Sequence, residues 1–208
     1  MDRFYTPKSK VKAGSKSKKE SKVEPADSLK DAPLRDYCDW ESVKCVGGKV
    51  IAVAHRGYRD EVMDIHLLPP SVENINLISC SLDYALHTRA LPMALESCYI
   101  FHNRLYGSVG LRTLPEHLVN LDLSINRLVG PVDLTELPRN LKTLSLCNNR
   151  IRQSVIFFGQ LPPSLEYIMF NHMSRTNQIG ELRGTSTENV ERLGKLFEGI
   201  PLKHIHIE

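Results

Sequence analysis

The sequence lacks several features that would place a chain in a cellular compartment. It has no run of about 18 apolar residues, which is the length that a transmembrane helix requires. Its first residues contain no apolar stretch of the kind found in a secretory signal peptide. None of its eleven asparagines begins an Asn-x-Ser/Thr glycosylation site. We therefore expect an intracellular protein, cytoplasmic or nuclear, and an extracellular one if an upstream signal sequence precedes these residues.

Motifs of catalysis and of metal binding are missing as well. The chain has no Gly-x-Ser-x-Gly elbow, no phosphate-cradling glycine loop and no His-Glu-x-x-His pair. Its five cysteines form no Cys/His arrangement typical of nucleophilic catalysis. His204, His206 and Glu208 alternate near the end of the chain, but no fourth ligand has the spacing of a zinc site. We expect a protein that is not an enzyme and uses no cofactor and no metal.

The positive charge is concentrated at one end of the chain. Residues 1–30 contain nine Lys/Arg and four Asp/Glu, which gives them a net charge of +5. Because the whole chain has a net charge of +3, residues 31–208 have a net charge of −2. Residues 1–25 alternate Lys and Ser and have too few aliphatic residues to bury a core. We predict a disordered basic tail over 1–25. The functional alternatives are a nuclear import signal near Lys16–Lys22 or contact with nucleic acid or anionic lipid.

A repeat of 23 to 24 residues dominates the rest of the chain. In the stretch LPEHLVNLDLSINRL the apolar and polar residues follow the order LxxLxLxxNxL, with the asparagine at Asn126. Leu-Pro pairs open this stretch and four others, at positions 68, 91, 114, 137 and 161. The spacings are 23, 23, 23 and 24, and such a constant period is the signature of a repeat protein.

This pattern is the consensus of the leucine-rich repeats. The longer layout N-x-L-x-G-x-V-x-L-x-x-L-P resembles plant-type and protist-type repeats, and the stretch LPPSLEYI resembles the bacterial effector type. The resemblance implies a β-rich α/β fold, namely a right-handed solenoid shaped as a horseshoe or arc, with a parallel β-sheet on its concave side. After each asparagine, Val-x-Leu alternates with period two, which favours extended or 3₁₀ segments rather than helices on the convex side.

The ends of a repeat array expose apolar surface and need caps. We predict an N-terminal cap over 26–49, repeats over 50–185, and a capping helix with a last strand over 186–208. The helix follows from the i, i+3, i+4 spacing of apolar residues in STENVERLGKLFEGI, with Ser186 or Thr187 as N-cap. The last strand, LKHIHI, reads as one more LxxLxL unit and would place His204 and His206 on the concave side.

The N-terminal cap contains the stretch CDWESVKC, which begins at Cys38. This stretch resembles the CxWxxVxC cap of plant-type leucine-rich-repeat receptors and related protist proteins. The resemblance implies that Trp40 covers the first coil and that Cys38 pairs with Cys45. A reducing compartment would keep both thiols free, so the pairing stays open at this point.

The asparagine column has a structural interpretation. Asn103, Asn126 and Asn149 are predicted to hydrogen-bond backbone groups that the sheet leaves unpaired. Cys80 stands in the same column and Met173 interrupts it. We therefore expect the ladder of asparagines to fray at both ends.

The residues between the inward leucines are the candidates for binding, because they would face the concave surface. Aromatic side chains are enriched in interface cores, and two patches of the face carry them, separated by polar coils. A peptide or loop that bridges both patches would be the natural ligand. Shielding of the aromatic residues by the N-terminal region or by the curvature is the structural alternative. The candidate residues are Tyr99, Phe101, His102, Asp122, Tyr167, Met169 and His172.

The function implied by the resemblance is a non-catalytic protein–protein interaction scaffold, which binds a protein or peptide through its concave face. One alternative is a secreted or cell-surface recognition domain, which the cap resemblance suggests. Another is a nucleic-acid-associated factor that acts through the Lys-rich tail, the one part of the chain suited to such a partner. The identity of the partner and the oligomeric state stay open.

Overall fold

The structure, a computed structural model, describes residues 5–7, 37–57, 61–171, 176–185 and 190–207. Within the predicted tail it describes Tyr5–Pro7, a short strand that pairs antiparallel with Glu61–Met63. The prediction of disorder for the remainder of residues 1–25 lies outside the described residues.

The described residues are mostly short strands joined by turns. The strands are β1 (Tyr5–Pro7), β2 (Val43–Val46), β3 (Lys49–Arg56), β4 (Glu61–Met63), β5 (Asn74–Ile78), β6 (Ser97–Tyr99), β7 (Tyr106–Ser108), β8 (Asn120–Asp122), β9 (Arg127–Val129), β10 (Thr143–Ser145), β11 (Arg152–Phe158), β12 (Tyr167–Met169), β13 (Gln178–Gly184), β14 (Phe197–Glu198) and β15 (Ile205–Ile207). The α-helix α1 spans Val190–Leu196, and 3₁₀ helices span Tyr37–Asp39, Ile65–Leu67, Thr88–Ala90, Leu111–Thr113 and Leu202–His204.

One eight-stranded sheet, which we call the main sheet, organises the fold. Its strand order is β14-β12-β10-β8-β6-β5-β3-β2, and all neighbours are parallel except the β2–β3 hairpin. The paired positions run from Asn74 to Ser97, Asn120, Thr143 and Tyr167, so they repeat the 23- to 24-residue period of the sequence. Each repeat therefore contributes one strand, and its alternating residues point to the core or away from it.

The opposite side of the core is built from extended and 3₁₀ segments, as the period-two pattern predicted. β7 pairs with β9, and β11, β13 and β15 form a three-stranded parallel sheet. The 3₁₀ helices that begin at Ile65, Thr88 and Leu111 recur every 23 residues. In the described part of the chain, no helix has the length and apolar character needed to cross a membrane.

The C-terminal end differs from the expectation in one respect. Ile205–Ile207 does not add a strand to the main sheet but pairs with β13 in the three-stranded sheet. Phe197–Glu198 takes the place at the edge of the main sheet, beside β12. The prediction that placed His204 and His206 on the face of the main sheet is therefore wrong. The helical spacing extended through Phe197, but the chain leaves α1 at Leu196 and continues as a strand.

A ladder of buried asparagines joins successive repeats. Each side-chain oxygen accepts a hydrogen bond from a backbone N–H of the preceding repeat: Asn103 from Leu82, Asn126 from Leu105, and Asn149 from Leu128. Each side-chain amide donates to backbone carbonyls in turn. These contacts satisfy polar groups that the turn leaves without partners in the sheet.

We expected the ladder of asparagines to fray at Met173, but it continues beyond that residue. Asn177, 28 residues after Asn149, accepts from the backbone N–H of Ile151 and donates to the carbonyls of Leu146 and Phe170. At the other end, the Cys80 thiol contacts the carbonyls of His55 and Ile78. The column therefore continues with a shifted residue on one side and a cysteine on the other.

The residue before each ladder position adopts a left-handed backbone conformation. Ser79, His102, Ile125 and Asn148 have φ values of 57°, 58°, 54° and 53°. A β-branched side chain is poorly suited to this region, where asparagine is tolerated. Ile125 is the one β-branched residue of the four, and it is 42% exposed.

We expect Ile125→Asn to raise the free energy of unfolding by about 1 kcal/mol, because it relieves the left-handed strain and gives up little buried surface. Urea unfolding of the wild type and of the variant measures the difference. A variant that is less stable than the wild type would show that Ile125 contributes more by packing than it costs by its conformation.

The stretch predicted to be the N-terminal cap contains an aromatic pair and a disulfide. Trp40 and Tyr37 meet edge to face with ring centroids 5.1 Å apart, and both line an apolar cleft over Val53. Cys38 and Cys45 form a disulfide bond. The bond ties the 3₁₀ segment that contains Cys38 to β2, so the cap is fixed against the β2–β3 hairpin.

Replacing both Cys38 and Cys45 by Ser is expected to lower the free energy of unfolding by about 2–3 kcal/mol, since the cross-link restricts a short loop of the unfolded chain. Unfolding with and without reductant checks this prediction. Reductant should destabilise the wild type and leave the Ser variant unchanged. Equal curves for all four conditions would contradict the role assigned to the bond.

Candidate functional site

The outer face of the main sheet, meaning the side turned away from the core, is a polar floor with tyrosines. Strands β6, β8, β10 and β12 each place two residues outward around one buried residue. A line of side-chain hydrogen bonds crosses three of these strands: Thr143 Oγ1 donates to Asn120 Oδ1 at 2.9 Å, and Asn120 Nδ2 donates to Ser97 Oγ at 3.4 Å. Short polar side chains thus fill the centre of the face.

Tyr99 and Tyr167 stand on either side of this floor. They belong to strands three positions apart, a separation of about 14 Å at the usual ~4.8 Å between neighbours. Partial burial raises the pKa of Tyr99 most, and the Tyr167 hydroxyl and the Asp122 carboxylate raise it further. Tyr99 also pairs in register with Asp122 on the neighbouring strand.

From β6 to β14, the charge on this face is negative. Asp122 and Glu198 are outward residues of the main sheet, and neither forms an ion pair with a described residue. The outward positions from β6 to β14 contain no Lys or Arg. Along the edge where the strands begin, the residues just before them are Glu73, Glu96, Val119, Lys142 and Glu166.

The other predicted site residues have varied surroundings. Met169 is half-buried, and it pairs in register with Glu198 on the neighbouring strand β14. Phe101 is half-buried just beyond the end of β6, and the Nδ1 atom of His102 lies 2.6 Å from Ser79 Oγ. His172 lies outside the described residues. Cys147, the residue after Leu146, is buried, and burial raises the pKa of its thiol.

A second polar cluster, which the sequence pattern did not indicate, lies at the 3₁₀ helix Ile65–Leu67. His66 Nδ1 lies 2.8 Å from Asp64 Oδ1, and its Nε2 accepts a hydrogen bond from the backbone N–H of His87. The Tyr84 hydroxyl donates to the Met63 carbonyl and accepts from the backbone N–H of Ile65, and burial raises its pKa. Because these groups satisfy one another, we assign the cluster a structural role. Among the described residues, no group of three or more His, Cys, Asp or Glu is arranged to hold a metal ion.

Comparison with known proteins identifies the class of fold. No protein-family model matches this chain, and no curated protein does. Among solved structures, the chain is similar to the leucine-rich-repeat ectodomain of the plant membrane receptor kinase GASSHO1/SCHENGEN3 from Arabidopsis thaliana, in complex with CASPARIAN STRIP INTEGRITY FACTOR 2. The TM-score is 0.52 and the sequence identity 21%, over 86% of this chain and 25% of that chain.

This likeness shows the fold and nothing further, since the identity is low. The chain has a leucine-rich-repeat fold, strand-rich and built on a parallel sheet. It spans about a quarter of the length of the receptor ectodomain that it matches.

Proposed function

We propose that this chain is a non-catalytic protein-binding module: a right-handed solenoid that holds a protein or peptide partner on the outer face of its main sheet, which lines the concave side. The leucine-rich-repeat fold supports this function, because a stack of repeats offers a continuous rigid surface whose outward residues are free of the core. The chemistry of the partner is proposed from the outward residues of this face.

The observation that carries the proposal is that Tyr99, Asp122 and Tyr167 all face outward from the main sheet, with Tyr99 and Asp122 in register on neighbouring strands. Tyrosine provides a large contact area with few rotatable bonds and is enriched where interfaces bind most strongly. Asp122, which forms no ion pair with a described residue and lies beside Tyr99, suits a lysine or arginine of the bound chain, which can pair with the carboxylate and lie against the ring. The partner segment is therefore proposed to present a basic residue at the centre of the face.

Affinity purification with tagged variants tests this proposal. Tyr99→Ala with Tyr167→Ala should weaken capture of the partner by about thirtyfold or more, since two interface residues of this kind are each worth ~1–2 kcal/mol or more. The matched control is Met93→Ala with Phe157→Ala, which removes two exposed apolar side chains elsewhere. Loss of capture in the control but not in the tyrosine variant would contradict the use of this face.

Asp122→Asn separates charge from shape on the same face. The substitution keeps the side-chain volume, and the Asn oxygen can still accept the hydrogen bond that Asp122 receives from the backbone N–H of Ser124. We expect weaker capture and a loss of its salt dependence, because the ion pair with the basic residue is removed. Unchanged binding at every salt concentration would remove the cationic partner from the proposal and leave the tyrosine contact untouched.

The compartment is a separate question. The Cys38–Cys45 disulfide suits an oxidising environment, and so the expectation of an intracellular protein is not supported. We propose the secreted or surface-displayed alternative on this observation. Trapping of free thiols at lysis of the source cells tests it: blocked, oxidised Cys38 and Cys45 are expected, and two free thiols would return the protein to the cytoplasm or nucleus.

Binding of nucleic acid through the Lys-rich tail is a hypothesis about lysines that lie outside the described residues. Deletion of residues 1–25 would then abolish binding together with its salt dependence.

A further inference from the structure

Four arginines gather on one flank of the fold, well apart from the main sheet. Arg104, Arg127 and Arg150 each follow a ladder asparagine, and their backbone N–H groups donate to the equivalent carbonyls of the preceding repeats, those of Leu82, Leu105 and Leu128. Arg127 pairs in register with Tyr106. Arg104, two residues before Tyr106, is therefore diagonal to Arg127 on the neighbouring segment. Diagonal positions on neighbouring strands are about 7–8 Å apart.

The flank is defined by the exposed residues that alternate with buried ones along these segments. Leu105, Leu128 and Ile151 point into the core, and the residues on either side of each are exposed. We call this set the arginine flank; its members are Arg104, Tyr106, Arg127, Val129, Arg150 and Arg152.

The positive charges of the flank are largely uncompensated. Arg127 lies 3.9 Å from Asp83, at the outer limit of an ion pair. Arg104, Arg150 and Arg152 form no ion pair with any residue that the structure describes. An anionic ligand would supply the opposite charge that these arginines lack.

The spacing fits a short extended peptide. Side chains on one face of an extended chain recur at every second residue, which is about 6.8 Å. Carboxylates at that interval match the diagonal spacing of the arginines, and guanidinium groups bind carboxylates in a two-pronged geometry. Tyr106 and Val129 are the exposed apolar members, 48% and 41% exposed, and they can receive the apolar residues of such a peptide.

A nucleic acid fits the same flank less well. Single strands bind through successive bases stacked on aromatic rings, and Tyr106 is the single ring of the flank. Residues 31–208 carry a net charge of −2, which opposes a long polyanion but not a short segment that covers the flank alone.

We propose that the arginine flank is a second binding site, separate from the face of the main sheet, and that it binds an acidic peptide segment in which Asp or Glu alternates with apolar residues. This proposal does not rest on the function proposed for the main sheet, because the two surfaces share no residue and have opposite charge.

Fluorescence anisotropy with labelled probes tests the proposal on the full chain. The first probe is a short peptide in which Glu alternates with Val, and its control has Gln in place of Glu. The first variant is Arg127→Gln with Arg150→Gln. Its matched control is Arg89→Gln with Arg139→Gln, which removes the same charge from exposed positions outside the flank. Thermal unfolding of each variant verifies that it is folded, and Arg104→Gln with Arg152→Gln replaces the first variant if that one is not.

The expected result is saturable binding of the Glu peptide, weakened about tenfold or more by the flank variant and unchanged by the control variant. Binding of the Gln peptide should be absent. No binding of the Glu peptide, or equal weakening by both double variants, would overturn the site. Tighter binding of a single-stranded oligonucleotide or of a sulfated polysaccharide would overturn the choice of an acidic peptide.

Discussion

Asn149→Ala is expected to lower the free energy of unfolding by about 3–5 kcal/mol. The Asn149 side chain is 2% exposed and accepts from the backbone N–H of Leu128. It donates to the carbonyls of Leu123, Leu146 and Cys147. Alanine leaves these buried backbone groups without partners, and each unsatisfied group costs about 1–3 kcal/mol. Urea unfolding followed by circular dichroism measures the loss.

Asn140→Ala is the matched control, since Asn140 is exposed in a turn of the same repeat. We expect it to change the free energy of unfolding by less than ~0.5 kcal/mol. A loss at Asn149 no larger than the loss at Asn140 would show that water replaces the side chain, and the ladder would then lose its role as the internal support of the repeats.

The second large effect is expected at the C-terminal edge of the main sheet. Phe197 is fully buried, pairs with Ile168 through β14 and β12, and contacts Phe158 with ring centroids 5.3 Å apart. Phe158 belongs to the three-stranded sheet, so the two rings join the two sides of the core. Phe197→Ala should cost about 3–5 kcal/mol, because it removes a buried ring and leaves a cavity.

Phe157→Ala provides the control beside it. Phe157 neighbours Phe158 in the chain but points outward and is 55% exposed. Its replacement should cost well under ~1 kcal/mol by the same unfolding assay. Similar costs for both variants would mean that the last coil is loosely attached, and amide hydrogen exchange over β14 would then be as fast as in an exposed turn.

The regular repeats could be predicted from the sequence because one period fixes many contacts at once. The Leu-Pro starts at 91, 114 and 137 determine which residues lie side by side, and Ser97, Asn120 and Thr143 are indeed paired. Period-two alternation after the asparagine separates buried from outward residues without any knowledge of the partner strand. Leu128 is buried and Val129 exposed for this reason.

Prediction failed where the period is interrupted. Asn177 joins the ladder four positions later than the repeat would place it, and no pattern within one sequence shows that a longer segment returns to the same column. Phe197 fits a helical spacing equally well, so the sequence did not distinguish the end of α1 from the start of β14. Ile205–Ile207 carries the strand pattern of the repeat but pairs with the other sheet, since alternation specifies a strand and not its neighbour.

The candidate site was predictable in its columns and not in its charge. Tyr99 and Tyr167 were identified as outward residues, and both occupy outward positions of the main sheet. The negative charge at Glu198 was missed because its strand was read as a helix.

Site-specific photo-crosslinking tests the central claim most directly. A photo-reactive amino acid replaces Ser145, which lies outward in β10 on the floor between the tyrosines, and in a parallel sample it replaces exposed Thr185 after β13. Both proteins are illuminated with the source extract, and the crosslinked chains are identified by mass spectrometry. Binding on the face of the main sheet predicts a specific partner crosslinked at position 145, competed by unlabelled wild type, and none at position 185. A competed partner at 185 with none at 145 would contradict it.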